Sequence, residues 1–206
     1  MPETMRATIK GTIGGSSNVF TQTIDVEGDS LELASPSIPV AKVGQLTTRT
    51  DADTGVLTMV TGHGFSTSDK IDVFWSGGRR RNMTATVATN AVTVDGGSGD
   101  DLPTNLTSIT AMKPVVVSVA FDGATAVGVM VSSPVPGFIA FFDNAGTPLV
   151  IANATYELEA TAGEGKTWVS GNGVSNPFGS SVVSQVKFSH ENSAAAQTMK
   201  AAVVFN

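Results

Sequence analysis

The 206-residue chain carries 12 Lys plus Arg against 18 Asp plus Glu, a formal net charge of −6, and no cysteine. A disulfide-stapled fold and thiolate metal sites are thereby excluded, and nucleic acid, which demands a basic face, is not an expected partner. A charged fraction of 15% with 22 glycines favours strands and turns over helices, under a thinly charged surface.

In chain order, Met5 to Thr12 and Val19 to Val26 alternate as strands, the first ended by glycines and the second by Glu27-Gly28-Asp29. Leu31-Glu32-Leu33 is short, and Pro36 and Pro39 make the next stretch an edge or an extended connection. Gln45 to Thr54 is polar, with Asp51 to Gly55 as a turn leading into a central module. There Val56 to Val60, Lys70 to Trp75, Asn82 to Val87 and Ala91 to Val94 are short β-branched runs divided by Gly, Asn and Asp. They predict an antiparallel meander able to close as a small barrel. Ile71, Val73 and Trp75 share one face of a period-2 strand, and Met83, Ala85 and Val87 share one face of the next.

Beyond Pro114, Val115 to Phe121 and Ala126 to Val131 are expected to pair as a hairpin across Asp122-Gly123. Phe138 to Phe142 has the apolar density of a buried strand, and Asp143 to Gly146 turns the chain. Leu149 to Ala152, Thr155 to Ala160, Thr167 to Val169, Val182 to Ser189 and Thr198 to Phe205 complete the strands. The Ala-rich stretch from Ser193 could form a helical turn, but Val203-Val204-Phe205 argues for strand. The expected fold class is all-β: an antiparallel β-sandwich with an inserted small barrel or meander. Residues 1–43 plus 114–206 form the discontinuous sandwich, and 44–113 form the insertion. Two consecutive domains meeting near Pro114 are the alternative division.

Candidate sites are few. Arg79, Arg80 and Arg81 make the single basic cluster, expected at a hairpin tip as a solvated turn or, if functional, as a contact for an acidic patch on a protein partner. Ala160 to Thr167 resembles a phosphate loop, but that loop works only with a helix behind it, and Trp168 to Pro177 cannot supply one. Asp95, Asp100 and Asp101 flank Gly96-Gly97-Ser98-Gly99 like one turn of a calcium-binding repeat; such sites need stacked copies, so a weak cation there competes with a plain acidic turn. His63, between two glycines, is suited to bonding a tight turn. Glu157 and Glu159 share a strand face as solvated carboxylates, and Trp75 and Trp168 are expected in the core. No nucleophile elbow or paired histidines occur, so neither enzymatic activity nor a cofactor is expected.

The stretch Gly62-His63-Gly64-Phe65-Ser-Thr-Ser-Asp69-Lys70-Ile71-Asp72-Val73-Phe74-Trp75, followed by Gly77-Gly78, resembles the small β modules of tailed-bacteriophage virion proteins. The resemblance covers about a quarter of the chain. It implies a structural virion component, foremost a capsid decoration (cement) protein bridging capsomers, with a tail or head-completion component next. The implied partner is the major capsid protein or another virion protein, and the implied assembly a homo-oligomer, trimer or dimer. It carries no catalytic residues. The N-terminus shows no signal peptide and no apolar run spans a bilayer, so the expectation is a protein folded in the host cytoplasm without membrane contact. A carbohydrate-binding or adhesin module is the competing class, which aromatic residues exposed in a groove would favour.

Overall fold

The computed structural model describes residues 5–12, 19–26, 30–97, 99–122, 126–149, 157–158, 165–169, 178 and 180–205. Among these there are strands and turns and no helix. The chain divides into two compact units: residues 1–38, 115–188 and 197–206 form one, and residues 39–114 with 189–196 form the other. Compared with the sequence-based division, the second unit begins five residues earlier (39 rather than 44) and also takes the segment Ser189–Ala196 from near the C-terminus.

The first unit is a two-sheet β-sandwich. One sheet has the order β13 (Glu157–Leu158), β12 (Gly137–Phe142), β15 (Val182–His190), β10 (Val115–Asp122), β1 (Met5–Thr12), β2 (Val19–Val26). The other has β14 (Gly165–Val169), β11 (Ala126–Ser132), β16 (Lys200–Phe205) and β3 (Ser30–Ala34). Alternation sets the buried faces: Val115, Val117 and Val119 are buried on β10, and Val129 and Val131 on β11 with Met130 turned out between them. The apolar run on β12 is buried on both sides from Gly137 to Phe141, as expected of a strand without a solvent face.

One expectation fails here. β10 and β11 do not form a hairpin: β10 pairs with β1 and β15, whereas β11 pairs with β14 and β16. A period-2 strand is satisfied by any partner that covers its apolar face, so local turn chemistry lost to sheet assignment.

The second unit is a closed six-stranded barrel. Its strands are β4 (Lys42–Arg49), β5 (Thr54–Met59), β6 (Lys70–Trp75), β7 (Gly78–Ala88), β8 (Ala91–Asp95) and β9 (Thr107–Met112). Their cyclic order is β4-β5-β8-β7-β6-β9, so β6, β7 and β8 are consecutive hairpins while β5 lies beside β8. This is a Greek key and not the simple meander expected. Closure depends on β4, whose polar residues from Gln45 onward mark the entry to the module without reading as a strand; it joins β5 to β9 and contributes Leu46 to the core. The interior is filled by Leu46, Leu57, Ile71, Val73, Met83, Val92 and their neighbours, as the bore of a small barrel requires. Leu102 plugs the end near Ala52, its N–H donating to the Ala52 carbonyl at 3.0 Å. Phe65 is buried toward the opposite end, where His63 meets Thr89.

Candidate functional site

The three arginines do not sit at a hairpin tip. Ser76-Gly77 makes the turn, and Arg79, Arg80 and Arg81 already belong to β7. Their phase is set by a bulge: Ile71 pairs with Met83 and Val73 with Arg80, so Asp72 on β6 faces both Arg81 and Asn82. Asn82 takes φ 57°, a left-handed conformation that asparagine tolerates better than most residues. Asp72, itself buried, pins the bulge by accepting the Asn82 N–H at 2.7 Å. Without the bulge Arg79 and Arg81 would share the phase of Met83; with it, Arg80 is the residue that turns inward.

Arg80 is therefore withdrawn from any partner surface, its side chain 5% exposed. Its guanidinium donates to the Asp100 carbonyl at 3.0 Å, to the Gly97 carbonyl at 2.8 Å and to the Asp53 carboxylate. The planar fork suits three acceptors held in fixed directions, which a single ammonium could not serve equally. Arg79 and Arg81, on either side of it, are each half-buried.

The acidic turn is organised around that guanidinium. Asp95 Oδ1 accepts from Thr54 Oγ1 at 3.1 Å, Asp100 Oδ2 accepts the Arg79 N–H at 3.0 Å, and Asp101 lies 3.8 Å from Arg49. Each carboxylate thus has a protein partner, and among the described residues no three metal-ligating side chains converge. Gly97 is required by close approach as well as by its φ of 89°: a Cβ there would lie 2.2 Å from the Arg81 carbonyl oxygen. The turn is a loop docked on an arginine.

The other sequence candidates divide between turn-bonding roles and positions outside the described residues. His63 Nδ1 accepts the Phe65 N–H at 3.0 Å, so its Nε2–H donates to the Thr89 carbonyl at 2.9 Å; the ring bonds the turn. In the phosphate-loop look-alike, residues 160–164 lie outside the described residues, and Gly165 to Val169 is strand β14, where the chemistry requires a helix. Glu157 is on the short edge strand β13 and Glu159 is outside the described residues. The Trp168 side chain is likewise outside them.

Trp75 departs from expectation. It packs against the barrel core but is only partly buried. Gly78 opposite it is close enough that a Cβ there would lie 2.7 Å from the indole. Trp75 also lines an open cleft of about 510 Å³ on the barrel unit, with Val43, Phe74, Ile109, Thr110 and Glu191 among the other walls. Residues of three adjacent strands meet there, Val43 of β4 pairing with Thr110 of β9 and Thr110 with Phe74 of β6. Segment 189–196 supplies the last wall. Thr110 Oγ1 donates to the Glu191 carbonyl at 3.0 Å, and the Ala41 N–H donates to the Asn192 carbonyl at 2.9 Å. Burial pushes the Glu191 carboxyl above the usual carboxylate value, with the Arg79 charge acting in the opposite direction. Sequence reasoning missed this cleft because residue 191 lies some eighty positions from the strand it joins at Thr110.

Fold and site together define an all-β protein with a Greek-key barrel of filled interior and a two-sheet sandwich, and with an open, mainly apolar cleft on the barrel unit. No protein family, curated protein or solved structure matches the chain at a significant level.

Proposed function

We propose that the protein is a non-enzymatic structural component of a virion, foremost a capsid decoration protein that bridges and stabilises capsomers, with a tail or head-completion role as the neighbouring reading. One observation carries this: among the described residues, the buried charged groups of the barrel unit, Arg80 and Asp72, are both engaged in holding the fold together, and the barrel interior is filled with apolar side chains. Action is left to the surface, with only 15% of residues charged. A protein of this kind works by burying surface across several neighbours, each contact raising the effective concentration of the next. Symmetric sites on a shell favour a trimer or dimer, formed after folding in the host cytoplasm and without a cofactor.

The test is binding of the purified protein to undecorated particles, with a copy count by quantitative mass spectrometry. Hundreds of saturably bound copies support a shell or tail-tube component, and about a dozen or fewer a vertex or tail-end role. Failure to bind any particle, together with saturable binding to a polysaccharide, overturns the reading in favour of an adhesin.

A further inference from the structure

We infer that β2, the outermost strand of the six-stranded sheet, is a dimerisation edge: it pairs antiparallel with the β2 of a second copy of this chain, joining two sheets into one about a two-fold axis. The inference deepens the reading of the protein as an assembly component, on which it rests, by naming the interface.

Among the described residues the sandwich has four outer strands, β13 and β2 in one sheet and β14 and β3 in the other. Open edges invite strand addition, and folded proteins blunt them with short length, charge, proline or a bulge. Three of the four are blunted. β13 has two residues, β14 has five with Lys166 among them, and β3 has five with Glu32 inside and Pro36 close behind. β2 differs on each count. It runs eight residues without lysine or proline, and it pairs with β1 from Met5–Val26 to Thr12–Val19 with no shift of register. An unguarded edge of that length presents a row of unpaired main-chain donors and acceptors to a strand laid beside it.

Charge and register select the occupant. The one charged residue of β2 is Asp25, near its end, with Glu27 and Asp29 following; Ile13 to Asn18, before the strand, carry no charge. A parallel neighbour of the same sequence would stack Asp25 on Asp25. An antiparallel one sets each acidic end beside the other's uncharged end. Within its own ribbon Asp25 is already paired in register with Arg6.

Register also fixes which residues meet. Val117 is buried, Gly11 pairs with it and Phe20 pairs with Gly11, so Phe20, Gln22, Ile24 and Val26 lie in the row on the interior side of the sheet. A two-fold axis normal to the sheet keeps that row continuous only if it passes through Gln22 or Thr23. The first puts Phe20 opposite Ile24 and Asp25 opposite Val19; the second puts Phe20 opposite Val26 and Asp25 opposite Thr21. Either way an aromatic residue meets an aliphatic one and no like charges meet. Such an interface closes on itself. A second copy also brings the strand already ordered, whereas a foreign segment would lose conformational entropy in forming one.

The experiment uses the full-length protein, its mass in solution read by light scattering after gel filtration. The parent is expected to be a dimer. Because the chain has no cysteine, single-cysteine variants report the interface directly. Under mild oxidation Gln22→Cys or Thr23→Cys, whichever lies on the axis, should give a disulfide-linked dimer, while Thr167→Cys on β14 should not. Thr23→Lys and Thr23→Asp should each weaken association at least about tenfold with unchanged circular dichroism, and an equimolar mixture of the two should dimerise again. The inference is overturned if the parent is monomeric at about 0.1 mM, which would leave the edge to a foreign strand. It is equally overturned if the parent is a trimer, if neither edge cysteine cross-links, or if the charged variants dimerise as the parent does. Particle binding is a separate readout: a monomer that coats particles overturns the dimer alone, and a dimer that coats none overturns the virion reading alone.

Discussion

Ser189 Oγ donates a hydrogen bond to Asp72 Oδ2 at 2.5 Å, joining residues 117 positions apart inside the barrel unit. The same carboxylate holds the β7 bulge through the Asn82 N–H, so one buried side chain fixes both the phase of the arginines and the seat of segment 189–196. Asp72→Ala removes an acceptor from two donors at once. The expected loss is about 2–4 kcal/mol, since buried donors left unsatisfied cost more than the bonds gain. Urea unfolding followed by a barrel-specific amide signal measures it, and a loss within experimental error would remove Asp72 from this role.

Arg80 and its neighbours should separate cleanly by mutation. Arg80→Ala is expected to cost about 2–3 kcal/mol, below the figure for a fully buried pair because Asp53 is half-exposed. Arg80→Lys should recover only a minor part, having one ammonium for three acceptors. Gly97→Ala should destabilise the same loop, and the double variant should cost less than the sum, because both changes release one structure. Additive losses in chemical denaturation would contradict the docking of the loop on Arg80.

Leu106 is exposed and held in a left-handed conformation, so its backbone strain can be tested by substitution. Glycine carries no steric penalty at φ 68°, so Leu106→Gly should raise stability by about 0.5–1 kcal/mol after its own entropic cost. Urea unfolding of parent and variant measures the difference, and a less stable variant would show that the leucine side chain serves the fold.

Glu191 gives the sign of a pH effect. Burial raises its folded-state value above the ordinary glutamate value of 4.5, so between the two values the folded chain holds more protons than the unfolded one. Stability contributed by this group therefore falls as pH rises through that window and is flat above it. Glu191→Gln should raise the melting temperature at neutral pH, and the gain should shrink to nothing once the pH falls below the unfolded value. Melts of parent and variant across a pH range from about 3.5 to 8 provide the check, and a gain that grows on acidification would reverse the assignment.

Alternation and composition alone were enough to set the class of the fold and most strands of the barrel. Ile71 and Val73 recur at period 2 on β6, Thr89-Asn90 marks the β7–β8 turn, and the abundance of Gly, Thr and Val left little room for helices. The signal for His63 was local as well, since a histidine between two glycines beside a buried phenylalanine has a turn to bond. Strand neighbours, by contrast, were settled by long-range packing. β4 reads as polar because one face meets water and its contribution to the core is Leu46. β10 and β11 read as a hairpin because pairing energy is nearly indifferent to partner until two sheets compete for the same apolar face. The inward turn of Arg80 came from a bulge whose trace in the sequence is the single residue Asn82. The cleft left no trace at all, because its walls are brought together by barrel closure and by a segment from near the other end of the chain.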